Sequence, residues 1–316
     1  MKRLLFAALA AASLTFPAHA QIDELSIMAP AAPGGGWDQT ARSMQQALTE
    51  ATLVSNVQVT NVPGAGGTIG LAQFVNSDAG DPTKLIVGGY VMVGAIIANQ
   101  SPVSLADVTP VARLTGEYEG IVVPASSDIQ TIGDLVEKLK ADPGAVSWAG
   151  GSAGGVDHIV VGQIAVAAGV DPTKINYIPY SGGGEALAAI LGGQVTAGVS
   201  GTGEWQGQIQ AGELRLLAVT SGERLEGFDA PTLKESGLDV ETQNWRMVAA
   251  APGISDEDKA SLVDTVGKLV ESDAWKNILA QKGWQNTFLA GADFEAYLAA
   301  EIESTTAILK GLGIAQ

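Results

Sequence analysis

Ser152 and His158 form the first pair whose types and spacing suggest chemistry. Gly150-Gly151-Ser152-Ala153-Gly154 matches G-x-S-x-G, the strained turn that lifts a nucleophilic serine between a strand and a helix. A serine hydrolase also needs a histidine base within reach of that hydroxyl and an acid to orient the ring. His158 follows six residues on, in the helix expected behind the turn, where it can scarcely swing back over Ser152. A secreted hydrolase using Ser152 is therefore the lesser alternative. Nucleotide motifs fare no better. There is no G-x-x-x-x-G-K-[ST], and Gly64-Ala65-Gly66-Gly67-Thr68-Ile69 misses the third glycine of G-x-G-x-x-G. With no cysteine and only His19 and His158 as histidines, neither a transition-metal cluster nor a disulfide is expected. No cofactor is expected either.

The glycines carry more. Pro33-Gly34-Gly35-Gly36, Gly150 to Gly155 and Ser181-Gly182-Gly183-Gly184 each follow a predicted strand and precede a predicted helix, and Gly64-Ala65-Gly66-Gly67 follows another strand. Glycine there permits positive φ and close approach of backbone N–H groups, and the helix behind adds partial positive charge. Such turns bind small anions, although any one of them is equally a tight turn that lets a helix pack closely. On the anion reading, backbone should matter more than side chain at Gly35 and Gly154.

The elements that must hold these loops alternate between period two and period 3.6, which predicts α/β layering with largely parallel sheets. Strands are expected at 25–29, 57–61, 85–89, 121–123, 145–149, 175–178 and 214–219. Helices are expected at 38–50, 131–140 with Thr131 and Asp134 as a capping box, 156–168 and 185–191. From Ser255 onward the pattern reads as wholly helical.

Of 316 residues, 34 are acidic and 17 basic, giving a net charge of -17. That balance argues against nucleic acid or an anionic membrane surface as partner. Lys2 and Arg3, the apolar run from Leu4 to Phe16 and Ala18-His19-Ala20 predict an export signal over residues 1–20, cleaved after Ala20. Its loss leaves 15 basic residues and a charge of -19. No later apolar stretch is long enough to span a bilayer, so the mature chain is expected in the periplasm without membrane insertion.

In order and spacing, these residues resemble the periplasmic solute-binding proteins of tripartite tricarboxylate transporters, the TctC or Bug family. The resemblance covers essentially the whole chain after residue 20. It rests on Ala29-Pro30-Ala31-Ala32-Pro33-Gly34-Gly35-Gly36-Trp37-Asp38, Asn61-Val62-Pro63-Gly64-Ala65-Gly66-Gly67 and Gly150 to His158. Tyr180-Ser181-Gly182-Gly183-Gly184-Glu185, Gly192-Gly193-Gln194-Val195, Pro231-Thr232-Leu233 and Asn244-Trp245-Arg246 complete it. It implies a type II periplasmic binding protein fold: two α/β lobes, a ligand cleft and two crossing strands, near 121–124 and 244–248. Residues 21–122 with 247–316 would form the first lobe and 123–246 the second.

By the same resemblance the chain captures a small di- or tricarboxylate of citrate-like type. It delivers this ligand, as a monomer, to the membrane subunits of a tripartite transporter; a carboxylate sensor is the other possibility. The implied ligand-binding residues are Ala32, Pro33, Gly34, Gly35, Gly36, Trp37 and Asp38, with Ala65 and Gly66. From the other lobe come Gly151, Ser152, Ala153, Gly154, Gly155, His158, Ser181, Gly182 and Ser200, with Arg246 at a crossing. Each side chain also has a plainer use. Asp38 could cap its helix, His158 could be core or surface, and Trp37 and Trp245 could be core instead of cleft wall. Arg113 and Arg246 could pair with protein acids instead of a ligand carboxylate.

Overall fold

The structure, a computed structural model, describes residues 22–180 and 182–315. The expected export signal and Ser181 lie outside the described residues.

Leu25 and Ile27 alternate with solvent-facing neighbours in β1 (Glu24–Ala29), and the chain then turns into α1 (Gly36–Glu50). That helix buries Ala41, Met44, Ala47 and Leu48, a stripe at three-to-four-residue spacing. β2 (Asn56–Asn61), α2 (Thr68–Ser77), β3 (Lys84–Gly89) and α3 (Tyr90–Ala98) follow. β1 pairs in parallel with β2 and β3. Next comes β4 (Thr109–Pro124), 16 residues long, of which the sequence pattern exposed only the last few.

β4 belongs to both lobes. From Thr109 to Tyr118 it pairs with β9 (Gln243–Ala250), and from Glu119 to Val122 with β7 (Ala197–Gly201). The second lobe adds α4 (Ile132–Ala141), whose Thr131–Asp134 capping box forms as expected, then β5 (Ser147–Gly150) and α5 (Val156–Ala167). β6 (Asn176–Pro179), α6 (Gly183–Leu191), α7 (Thr202–Gln210) and β8 (Leu214–Val219) complete it. The return segment is tied to β4, with Glu119 accepting from the Thr220 N–H while Thr242 donates to Thr220. α8 (Asp256–Glu271), α9 (Asp273–Lys282), β10 (Gln285–Ala290) and α10 (Gly291–Gly311) finish the first lobe.

Two expectations need correction. The sheet is mixed: parallel pairs lie at its outer positions, and β9, β7, β8 and β10 all run antiparallel to β4. The segment after Ser255 is also not wholly helical, because β10 adds to the edge of β4. Both follow from β4, a long strand with two edges to cover in each lobe. The main core runs through both lobes, with Trp148, Trp245 and Trp275 fully buried, and a smaller cluster around Trp205 lies under α6 and α7.

Candidate functional site

The glycine loops gather at the carboxyl ends of the strands, where the two lobes meet. The loop after β1 and the loop after β5 are built alike. Gly34 (φ 86°) and Gly154 (φ 76°) both occupy the left-handed region, and Gly35 and Gly155 then serve as extended N-caps of α1 and α5. Gly35 N–H donates to the Ala32 carbonyl at 3.1 Å, and Gly155 N–H to that of Ser152 at 2.9 Å. The positive φ expected at Gly35 thus falls one residue earlier, while at Gly154 it falls where expected.

The loops share a brace as well. Gly34 N–H donates to Asp38 Oδ2 at 2.7 Å, and in the equivalent position Gly154 N–H donates to His158 Nδ1 at 3.2 Å. Asp38 is therefore not the N-cap, and its side chain is held by the protein's own donors. It is the third helical residue, buried, and it also accepts from Arg42 Nε at 2.9 Å and Asn61 Nδ2 at 2.8 Å. Burial alone would raise its pKa, but these donors together hold the carboxyl below its ordinary range. His158 stacks on Tyr177 with centroids 4.1 Å apart, and burial lowers its pKa to about 4. Because Nδ1 accepts, the proton sits on Nε2. The ring therefore serves the Gly154 amide and cannot act as base for Ser152, which removes the hydrolase alternative.

Bracing consumes donors. The amides of Gly34, Gly35, Gly154 and Gly155 bond within their loops, and that of Gly151 donates to Asp157 Oδ2 at 2.6 Å. The amides left without an acceptor in their helices are those of the first turns: Gly36, Trp37 and Asp38 in α1, Val156 and His158 in α5. Two helix N-termini, one per lobe, thus bring donors and partial positive charge to one cleft.

The second-lobe loop sits directly on the first lobe. A methyl group on Gly94 of α3 would overlap the Gly154 carbonyl oxygen, and one on Gly66 would come within 3.6 Å of Ser152 Cβ. On the other side, Arg246 lies against Gly36 at the start of α1 and forms a buried ion pair with Glu117. Its guanidinium stands 4.7 Å from the Trp284 ring centre. A polar cavity of about 210 Å3 opens there between the lobes, lined by Gln39, Glu117, Glu204, Arg246, Lys282 and Trp284. Ser200 Oγ donates to Glu204 Oε2 at 3.4 Å, and that carboxylate lies against Gly183 at the start of α6. Gly182 caps α6 with open space around its Cα, and Ala65 and Gly66 form the turn before α2.

For several side chains left open by the sequence, the structure shows partners within the protein. Arg113 donates to the Thr287 carbonyl at 2.7 Å and stacks on Tyr297, away from the cleft. Trp245 is core, its Nε1–H donating to Glu301 at 2.8 Å. Trp37 is also buried, against Gly67 and Met92. Ala32 and Pro33 remain on the exposed side of the first loop. Missing from the sequence reading are the acids Glu117, Glu119, Asp157 and Glu204. The first two stand at alternate positions of a strand whose register became visible only in the fold.

Two α/β lobes that meet at a cleft, with a helix N-terminus from each pointing into it, have the architecture of a solute-binding protein. The profile of the "Tripartite tricarboxylate transporter family receptor" matches residues 40–314. The chain belongs to that family. BugT of Bordetella pertussis (strain Tohama I) is 27% identical over 304 residues, 95% of this chain and 91% of its own. The R. palustris protein Rpa4515, solved with adipate, is 26% identical with a TM-score of 0.82, covering 93% of this chain and 98% of that one. The periplasmic binding protein BugD shares the fold at 23% identity, TM-score 0.82, covering 93% and 98%.

Proposed function

We propose that this protein is exported, with residues 1–20 removed, and works as a monomer in the periplasm. There it captures a small di- or tricarboxylate and presents it to the membrane subunits of a tripartite tricarboxylate transporter. The observation that carries this reading is the matched pair of loops, each aiming a helix N-terminus with spare N–H donors into one cleft. The bodies that close are close to the lobes drawn from the sequence, 21–122 with 247–316 and 123–246, except that β4 crosses between them near Tyr118 and Glu119 and the return crossing lies before Gln243. Among the described residues no helix is long and apolar enough to cross a membrane, which fits delivery to a separate membrane component. The first-turn amides of α1 and α5 bind one ligand carboxylate, with Ala65, Gly66, Ser152, Ala153, Gly182 and Ser200 around it and Arg246 at its side. Adipate, the acid seen with the R. palustris relative, is the first ligand to try.

Thermal unfolding with citrate, malate, adipate, an aromatic acid and amino acids tests this. A bound acid at ~100 times its Kd stabilises the native state by about 2.7 kcal/mol, which raises Tm by several degrees. A melting point unmoved by every carboxylate would sink the proposal.

A further inference from the structure

Glu119 is fully buried on β4, and neither carboxylate oxygen has a hydrogen-bond partner. A buried carboxyl without a donor is costly as an anion and needs a reason. Its neighbours make the cost larger. Glu117 stands two residues back on the same strand face, Asp157 comes from the start of α5, and Glu204 from α7. The Tyr177 hydroxyl of β6 is within their field but donates to the Gly151 carbonyl at 2.7 Å, and His158 beside it is neutral. Arg246 of β9 is the cation acting on Glu119, and it is already paired with Glu117. Lys282 stands farther out, beside Arg246 and Glu117. Among the described residues these acids do not form a metal cage.

Four buried carboxyls, only three of which act on the single guanidinium, cannot all stay ionised in a water-poor site. Burial first, then Asp157, Glu117 and Glu204, push Glu119 well above the ordinary carboxyl range, and burial with Glu117 raises Glu204 to about 7. An anion entering the cleft adds one more negative charge to the same neighbourhood.

We propose that the cleft binds its anionic ligand together with a proton from solvent, held in this carboxylate cluster with Glu119 at its centre. The proposal rests on the carboxylate reading above. By linkage, if the anion tightens the proton, the proton tightens the anion by the same factor. The cleft of an acidic protein thereby meets an anion with less negative charge than its residue count suggests.

Titration calorimetry of the wild-type protein with adipate, malate and citrate at pH 7.5, in phosphate and in Tris, counts the protons. The expected result is uptake of about one proton per ligand, and affinity rising as pH falls from 8.5 to 6.5 by up to about tenfold per pH unit. Glu204→Gln, which removes a carboxyl raised to about 7, should lose most of the uptake and flatten that pH dependence. Asp157→Asn, at the other carboxyl raised to about 7, serves the same purpose if Glu204→Gln fails to fold. Binding heats that do not depend on buffer overturn proton capture and leave the carboxylate reading standing. Failure of all three acids to bind overturns both. Preference for glutamate over glutarate, with no proton taken up, would mean that the acids serve a ligand ammonium, and it also overturns the proposal.

Discussion

Asp38 and His158 do one job with different chemistry: each accepts the N–H of a left-handed glycine four residues earlier. Asp38→Ala should leave the Gly34 amide without its acceptor and take from Asn61 Nδ2 one of its two, the Ala31 carbonyl remaining. A loss of about 1–3 kcal/mol in urea-unfolding stability is expected, with ligand affinity falling as the first loop loosens. His158 adds a pH signature. Its folded pKa is near 4, below its ordinary value, so between about pH 4 and 6.5 the unfolded chain binds the extra proton. Its contribution to stability is therefore complete above pH 6.5 and lost as pH falls toward 4. Urea melts at pH 7 and pH 4.5 should show a smaller acid loss in His158→Gln than in wild type; equal losses would contradict the buried neutral ring.

At the scale of elements, α3 decides how closely the lobes can meet. Gly94 lets the helix backbone lie against the Gly154 carbonyl, and any side chain there overlaps it. Gly94→Ala should not harm α3 itself, since alanine favours a helix by about 1 kcal/mol over glycine. It should hold the lobes apart, so small-angle scattering with saturating ligand would give a larger radius of gyration than wild type, and affinity would drop at least tenfold. Unchanged affinity would mean that this contact is incidental to closure. β4 is the companion element. Its two ends pair in different lobes, so bending near Tyr118 and Glu119 alters the angle between them without breaking either half's ladder.

On the function proposed above, the whole molecule must hold an anion although the chain carries a charge of -17. Its overall field repels the ligand, so affinity must come from short-range donors: first-turn amides, two helix ends and Arg246. Salt screens the long-range repulsion over roughly 8 Å at physiological strength and hardly reaches enclosed contacts. Stopped-flow binding of adipate should thus give an association rate that is flat or rising with salt, and a dissociation rate that barely changes. A steep fall in association rate would show that Arg246 and Lys282 steer capture, contrary to the short-range account.

The loops and most elements around them were legible in the sequence, because they obey local rules. Glycine clusters mark turns, Thr131 with Asp134 marks a helix start, and short apolar runs mark β1 and β3. The family resemblance, too, lives in such local motifs. What sequence alone left open depends on partners distant in the chain. β10 is a strand only because β4 offers it an edge 176 residues away, at Leu289 opposite Arg113. Most of β4 was hidden because its mixed residues face two different lobes. Asp38 and His158 looked like site residues because they stand beside the loops, yet hydrogen-bond geometry turned both side chains inward to brace them. Glu119 gave no signal at all: one acidic residue among 34 gains its meaning only when folding removes its water and places Asp157, Glu117 and Glu204 around it.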